Sequence, residues 1–182
     1  MRTLEKIVLI LSLMTLPFVM VRCTTLAERQ TKPTGSPPVI THSFASEKLS
    51  HNEKWKIYLE ANDPDGDMRK IVAVVNRGHR GSRFNYVGIK TGNRAKLFGY
   101  LDCMIWSGIG DLRNEWGELT LTLSMRDKGR NTSNRVVFPL ALSRGVQQGP
   151  PPPPFETGKL KKLGTIWVDL ALRPPSASDS GD

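Results

Sequence analysis

Two stretches of the chain alternate strictly between apolar and polar residues. Lys54 to Glu60 sets Trp55, Ile57 and Leu59 on one face against Lys54, Lys56 and Glu60 on the other. Glu118 to Met125 repeats the device, with Leu119, Leu121, Leu123 and Met125 inward and Thr120, Thr122 and Ser124 outward. A period of two predicts half-buried antiparallel strands. Ile71 to Val75 is apolar at every position, which predicts a central strand covered from both sides. Val136, Phe138, Leu140 and Leu142 alternate again, but Pro139 has no N–H to give a ladder, so that strand is expected at an edge. Weaker runs at Val39 to Phe44, Phe84 to Ile89, Leu97 to Ile105 and Gly164 to Leu172 bring the total to eight short strands, separated by Gly, Asn, Asp and Pro turns. No amphipathic helical pattern intervenes, and the reading is an all-β sandwich.

The first residues follow a different rule. Arg2 and Lys6 precede an apolar run from Ile7 to Val21, and Arg22-Cys23-Thr24-Thr25 follows it. A positive head, an apolar centre and a small-residue region make an export signal, and this run falls short of the ~20 residues that span a bilayer. Residues 1–27 therefore read as an N-terminal signal or anchor helix. Three endings stay open. Cys23 directly after the run suggests lipidation, although Met20-Val21-Arg22 lacks the small residue that lipoprotein processing wants before the Cys. Thr25 and Ala27 suit cleavage after Ala27, and a retained anchor is accommodated by bilayer thinning. All three send the folded part out of the cytoplasm, to the cell envelope as a membrane-anchored lipoprotein or periplasmic protein, or into the medium.

The remainder divides by composition. Residues 28–37 are polar and breaker-rich, a flexible linker; 38–144 hold the sandwich. A Pro-rich spacer at 145–158 contains five consecutive prolines, Pro150 to Pro154. An additional edge strand at 159–173 and a small, polar, disordered tail at 174–182 complete the chain. That last strand either folds back onto a free sheet edge or adds to another chain, and a short covalent spacer favours the first. With 16 Gly and 13 Pro and 38% hydrophobic residues, the composition suits strands and turns better than helices. Two Cys cannot staple a fold, and Cys103, at an alternating position in an apolar run, is expected as a buried, inert thiol.

Two segments carry a resemblance. Tyr58-Leu59-Glu60-Ala61-Asn62-Asp63-Pro64-Asp65-Gly66-Asp67, followed by a hydrophobic strand, resembles the second-strand and turn region of bacterial immunoglobulin-like, fibronectin type III-like and cadherin-like modules. Leu121 to Ser133, followed by Val136-Val137-Phe138, is similar to the last hairpin of the same modules. The resemblance implies an immunoglobulin-like antiparallel β-sandwich of seven to eight strands. The Cys pair and central Trp of antibody domains are missing: Trp55 lies on the earlier strand and Cys103 has no partner at the expected place. Such sandwiches host many functions.

The candidate chemistry is sparse. Asp63, Asp65 and Asp67 offer carboxylates to Ca²⁺, with Glu60 and Asp127 as further ligands, but the spacing is not that of an EF-hand, and the competing reading is a simple Asp-Gly turn. No other cofactor is implied. From Met68 to Tyr100 no residue is acidic, and Arg77, Arg80, Arg83, Lys90, Arg94 and Lys96 stand out among the cations, interleaved with Phe84, Tyr86, Phe98 and Tyr100. This basic aromatic stretch, in a chain of net charge +9, suits an anionic glycan or lipid. Nucleic acid is disfavoured, because no nucleic-acid-binding signature accompanies the charge. His42, His51 and His79 have no metal spacing, and neither a Gly-x-Ser-x-Gly elbow nor a phosphate-cradling loop occurs. Asn131-Thr132-Ser133 matches a glycosylation acceptor. The chain is expected to be an exported, envelope-associated, non-catalytic interaction or structural module. It would reach the membrane through its N-terminus and contact a protein partner or envelope component. The alternatives are a binding domain for anionic glycan or lipid through the basic aromatic stretch, and an accessory subunit of a secreted enzyme complex.

Overall fold

A computed structural model describes residues 33–50, 53–78, 81–106, 119–143, 145–156, 158 and 160–169. The expected leader helix at 1–27 with Cys23, the start of the linker, Arg80, the end of the expected additional strand at 170–173 and the tail at 174–182 lie outside these residues.

Among the described residues nine strands are formed: β1 (Val39–Ala45), β2 (Lys48–Leu49), β3 (Lys54–Asn62), β4 (Met68–Asn76), β5 (Ser82–Gly88), β6 (Lys96–Trp106), β7 (Leu119–Asp127), β8 (Val136–Leu142) and β9 (Lys162–Asp169). A four-stranded sheet runs β1-β3-β6-β9 and a five-stranded sheet β2-β8-β7-β4-β5. The alternation along β3 and β7 dictates what faces what. Trp55, Ile57, Leu59 and Ala61 from β3 and Leu121, Leu123 and Met125 from β7 are buried in one shared core. Trp55 meets Phe138 of β8 edge-on across that core, at 6.4 Å between ring centroids and 87° between planes. Its Nε1 donates to the Ser46 carbonyl at 2.8 Å, so the one polar atom of the indole is satisfied inside an apolar layer.

Chain order explains the topology. After Ala45 the chain leaves the first sheet, and Lys48–Leu49 pair in parallel with Ala141 and Leu142 of β8 in the second. With β1-β3-β6 on one side and β8-β7-β4-β5 on the other, the strand order is immunoglobulin-like. The segments that carry the resemblance fall on β3 with its following turn and on the β7–β8 hairpin.

Four expectations need correcting. The sandwich is not wholly antiparallel: β2 runs parallel to β8, and β9 runs parallel to β6. A parallel neighbour requires a long crossover, and residues 143–161 supply it by returning to the end of the molecule where β6 begins. Second, β4 is central in its sheet but buried on one face, since Ile71, Ala73 and Val75 point inward while Val72 and Val74 are half exposed. Third, β8 is not a bare edge. The Ala141 N–H donates to the Glu47 carbonyl at 2.8 Å, and Pro139, two residues earlier, presents its missing donor on the same outer side, beyond the reach of the short β2.

The fourth correction concerns the Pro-rich spacer, which is a strap docked on the outer face of the four-stranded sheet. Where β1 has turned away, Gln148 closes the open edge of β3: its Nε2 donates to the Lys54 carbonyl at 2.7 Å, and the Lys56 N–H donates to its Oε1 at 2.9 Å. Phe155 is 2% exposed. It stacks on Phe98, with centroids 5.6 Å apart and planes at 16°, and lies 5.6 Å from Tyr58. Proline-rich chain is already extended when free, so docking it costs little conformational entropy for the ring it buries. Past the strap, the Tyr100 N–H donates to the Lys161 carbonyl at 3.0 Å. Gly99 permits this approach, because a Cβ there would strike that carbonyl. Residues 33–37 of the expected linker are also tied down: Thr34 N–H donates to the Gly129 carbonyl at 3.2 Å and Asn131 Nδ2 to the Thr34 carbonyl at 2.7 Å.

Phe155→Ala should lower the unfolding free energy by about 3 kcal/mol, and Gln148→Ala by about 1 kcal/mol, in urea denaturation of the whole chain. A Phe155→Ala protein as stable as the parent would return this segment to a free spacer.

Candidate functional site

The three-aspartate run is a turn. Asp63 is buried, and its two carboxylate oxygens accept the N–H groups of Asp65 at 3.1 Å and Asp67 at 3.2 Å. Gly66 supplies the left-handed backbone that the turn requires, at φ 68°. Asp127, also buried, accepts both the N–H and the Nδ2 of Asn131 at 2.7 Å. Asp67 keeps one carboxylate oxygen buried without a hydrogen-bond partner. Its pKa is pushed above the ordinary carboxylate value, by burial first and then by the neighbouring Asp127 and Asp63. Glu60 faces elsewhere, 3.0 Å from His42 Nδ1 and 3.7 Å from Lys96 Nζ. Among the described residues no three His, Cys, Asp or Glu side chains are disposed to hold a metal ion. The calcium expectation at Asp63, Asp65 and Asp67 is not carried by this geometry, since the two buried carboxylates serve backbone and amide donors. Asn131 spends its side-chain amide on Thr34 and Asp127, so the glycosylation motif is already in structural use.

The basic aromatic stretch does not stay together. β5 and β6 follow each other in the chain but fall in opposite sheets, which separates sequence neighbours. Phe84 and Tyr86 point out of the five-stranded sheet, whereas Phe98 and Tyr100 point out of the four-stranded sheet, where Phe155 stacks on Phe98. Arg77 is buried just past β4, and its N–H donates to the Gly81 carbonyl at 3.2 Å. Arg83 lies at the same end, on β5. Lys90, Arg94 and Lys96 lie at the opposite end of β5, in the loop that enters β6 and at the first position of that strand. The four described cations besides Arg77 therefore divide between two ends of the molecule.

What the fold does assemble is the outer face of the five-stranded sheet. Phe84 is 64% exposed, Tyr86 60% and Val137 58%. Register joins them: Phe84 sits opposite Val74, Val74 opposite Thr122, and Thr122 opposite Val137, one continuous row across four strands. Tyr86 is opposite Val72 in the adjoining row. Lys70 extends its ammonium over the Tyr86 ring, 4.2 Å from the centroid. Exposed Arg126 is the cross-strand neighbour of Lys70. None of the described outward positions of these five strands is Asp or Glu. Val72, Val74, Val137, Lys70 and Arg126 were not picked out by the linear charge pattern; the signal for them is the parity of β4, in which Val72 and Val74 share a side with Lys70 and Asn76. Cys103 is buried, which pushes its thiol up to about 12 and keeps it protonated and inert.

No family model matches this chain, and no curated protein matches it. One solved structure has some similarity: the CARDB domain of a protein from Pyrococcus furiosus, determined in complex with di-metal ions. It is 11% identical over 60% of this chain and 92% of that one, with a TM-score of 0.31, a likeness too slight to assign anything here.

Because the folded protein holds the Asp67 proton more tightly than the unfolded chain does, its favourable contribution is complete below the ordinary carboxylate range and is lost as pH rises through the raised value. Asp67→Asn should therefore raise the melting temperature at neutral pH and do so much less in acid. An equal gain at both, or a loss at neutral pH, would contradict the buried, like-charged setting assigned to this carboxyl.

Proposed function

We propose that this chain is a non-catalytic interaction module, exported and held at the cell envelope, that offers the outer face of its five-stranded sheet to a partner. The supporting observation is the contrast between its two outer faces. The chain's own strap around Phe155 covers the Tyr58 and Phe98 part of one, leaving Trp106 and Trp167 exposed at its far end; the other displays Phe84, Tyr86 and Val137 around its centre with no cover among the described residues. A contiguous exposed apolar patch on a folded domain usually marks a contact surface. The envelope part of the reading is supported by the run from Ile7 to Val21 between Arg2, Lys6 and Cys23.

A second reading, binding of an anionic glycan or lipid, is favoured by Lys70 and Arg126 at one end of this acid-free face. In the accessory-subunit version the contact would be made along the edge strands β5 and β9.

Mass spectrometry of the mature amino terminus, on protein from native cell fractions, tests the export reading. A diacylglyceryl Cys23, a terminus at residue 28, or an intact Met1 in the membrane fraction each agrees with it. An intact, unmodified chain in the cytosolic fraction contradicts it.

A further inference from the structure

We infer that the outer face of the five-stranded sheet rests on an anionic lipid surface, with Phe84, Tyr86 and Val137 entering the headgroup region and Lys70 and Arg126 pairing with lipid phosphates. The inference rests on the envelope reading above and names the partner of the same face.

Charge argues for it first. The face carries cations and no described carboxylate, and each basic side chain held near an anionic leaflet adds attraction that fades within about a Debye length, roughly 8 Å at physiological salt. The same charges argue against a second copy of the chain as occupant. A twin packed on this face would offer Lys70 and Arg126 no described carboxylate to pair with, and cations buried at an interface without a partner are costly.

The side chains also discriminate lipid from glycan. Sugars are bound by directional groups, and on the outward side of the described strands only Asn76 carries an amide or carboxylate head. The centre of the face is instead Phe84, Val74, Val72 and Val137, with Tyr86 beside them. Aromatic rings with a cation alongside are the groups that settle at the boundary between headgroups and acyl chains.

Chain connectivity puts the face within reach. Thr34 is bonded to Gly129 and Asn131 in the β7–β8 turn, so the chain enters the domain beside two strands of the five-stranded sheet and at the end where Lys70 and Arg126 lie. Eleven residues, 22–32, lie between Val21 and Pro33, a reach of at most about 40 Å when fully extended. An anchor in the Ile7 to Val21 run, or a lipid on Cys23, would therefore hold this sheet close to the bilayer and raise its effective concentration there.

The test uses the full chain with Cys23→Ser and Val137→Cys, labelled with an environment-sensitive nitrobenzoxadiazole; buried Cys103 stays unlabelled. A matched probe at Trp167→Cys reports the outer face of the other sheet, where Trp167 is equally exposed but the lysines share the face with the carboxylates Glu60 and Asp102. Vesicles of phosphatidylglycerol mixed with phosphatidylcholine should blue-shift the Val137 probe and leave the Trp167 probe nearly unchanged. Phosphatidylcholine alone should move neither. Lys70→Glu with Arg126→Glu should weaken the anionic response roughly tenfold or more.

Equal responses from the two probes, indifference to lipid charge, or indifference to the charge reversal would overturn the proposal. So would a Val137 shift that grows with protein concentration in the absence of vesicles, which would make the face a protein contact. The two readings fail separately. An exported chain without the face-specific response loses the lipid surface and keeps the envelope role. A cytosolic, unprocessed chain with the response keeps the lipid-binding face and loses the envelope role.

Discussion

A strand shows one side to the core and the other to its surroundings, because successive side chains point in opposite directions. A two-layer sandwich therefore always has two outer faces, each of which must be made polar, covered or put to use. In this chain the buried sides of β3 and β7 meet in one core, with Trp55 and Phe138 in contact across it. The outer sides are then left with aromatic residues on both sheets, and the chain resolves that in two different ways.

On the four-stranded sheet the solution is partly internal, with Trp106 and Trp167 left exposed at the far end. Phe44, Tyr58, Phe98 and Tyr100 project outward, and the segment after β8 crosses them with Phe155 as its anchor. Two details fit the strap to its seat. The Gln148 amide completes the hydrogen bonding of β3 beyond the end of β1, and Gly99 leaves room for the Lys161 carbonyl. The crossing also sets the direction of β9, which begins beside the start of β6 and so must run parallel to it. On the five-stranded sheet the corresponding rings, Phe84 and Tyr86, are exposed and share their face with Lys70 and Arg126. The two faces therefore differ in how much of their aromatic surface the chain itself covers and in whether carboxylates accompany the cations.

Periodicity alone made much of this legible. The strict alternation in Lys54 to Glu60 and Glu118 to Met125 places β3 and β7, the alternation from Val136 to Leu142 places β8, and the weaker runs place β1, β5, β6 and β9 to within a few residues. The turn chemistry of Asp63 to Asp67 was readable too, since Asp and Gly at those spacings cap backbone donors whether or not a cation is near. Other features were hidden for physical reasons. Five prolines describe a stiff extended segment but not what it lies against, and the ring that fixes the strap, Phe155, follows them as a single residue without periodicity. β2 is two residues long, too short for any pattern. The basic aromatic run misled most: its cations and rings are cut apart when β5 and β6 enter opposite sheets, and the exposed apolar face of the five-stranded sheet draws Val137 and Arg126 from strands far along the chain. Val72 and Val74 looked like core because a valine on a flat, unoccupied face reads the same in sequence as one that is covered.

The central claim is that the chain itself covers the Tyr58 and Phe98 part of one outer face and leaves Phe84 and Tyr86 on the other open. Hydroxyl-radical footprinting of the full chain, read residue by residue by tandem mass spectrometry, addresses it directly. The account predicts rapid oxidation of Phe84 and Tyr86 and protection of Phe155 and Tyr58. Oxidation of Phe155 at the rate of Phe84, or protection of both faces alike, would contradict it.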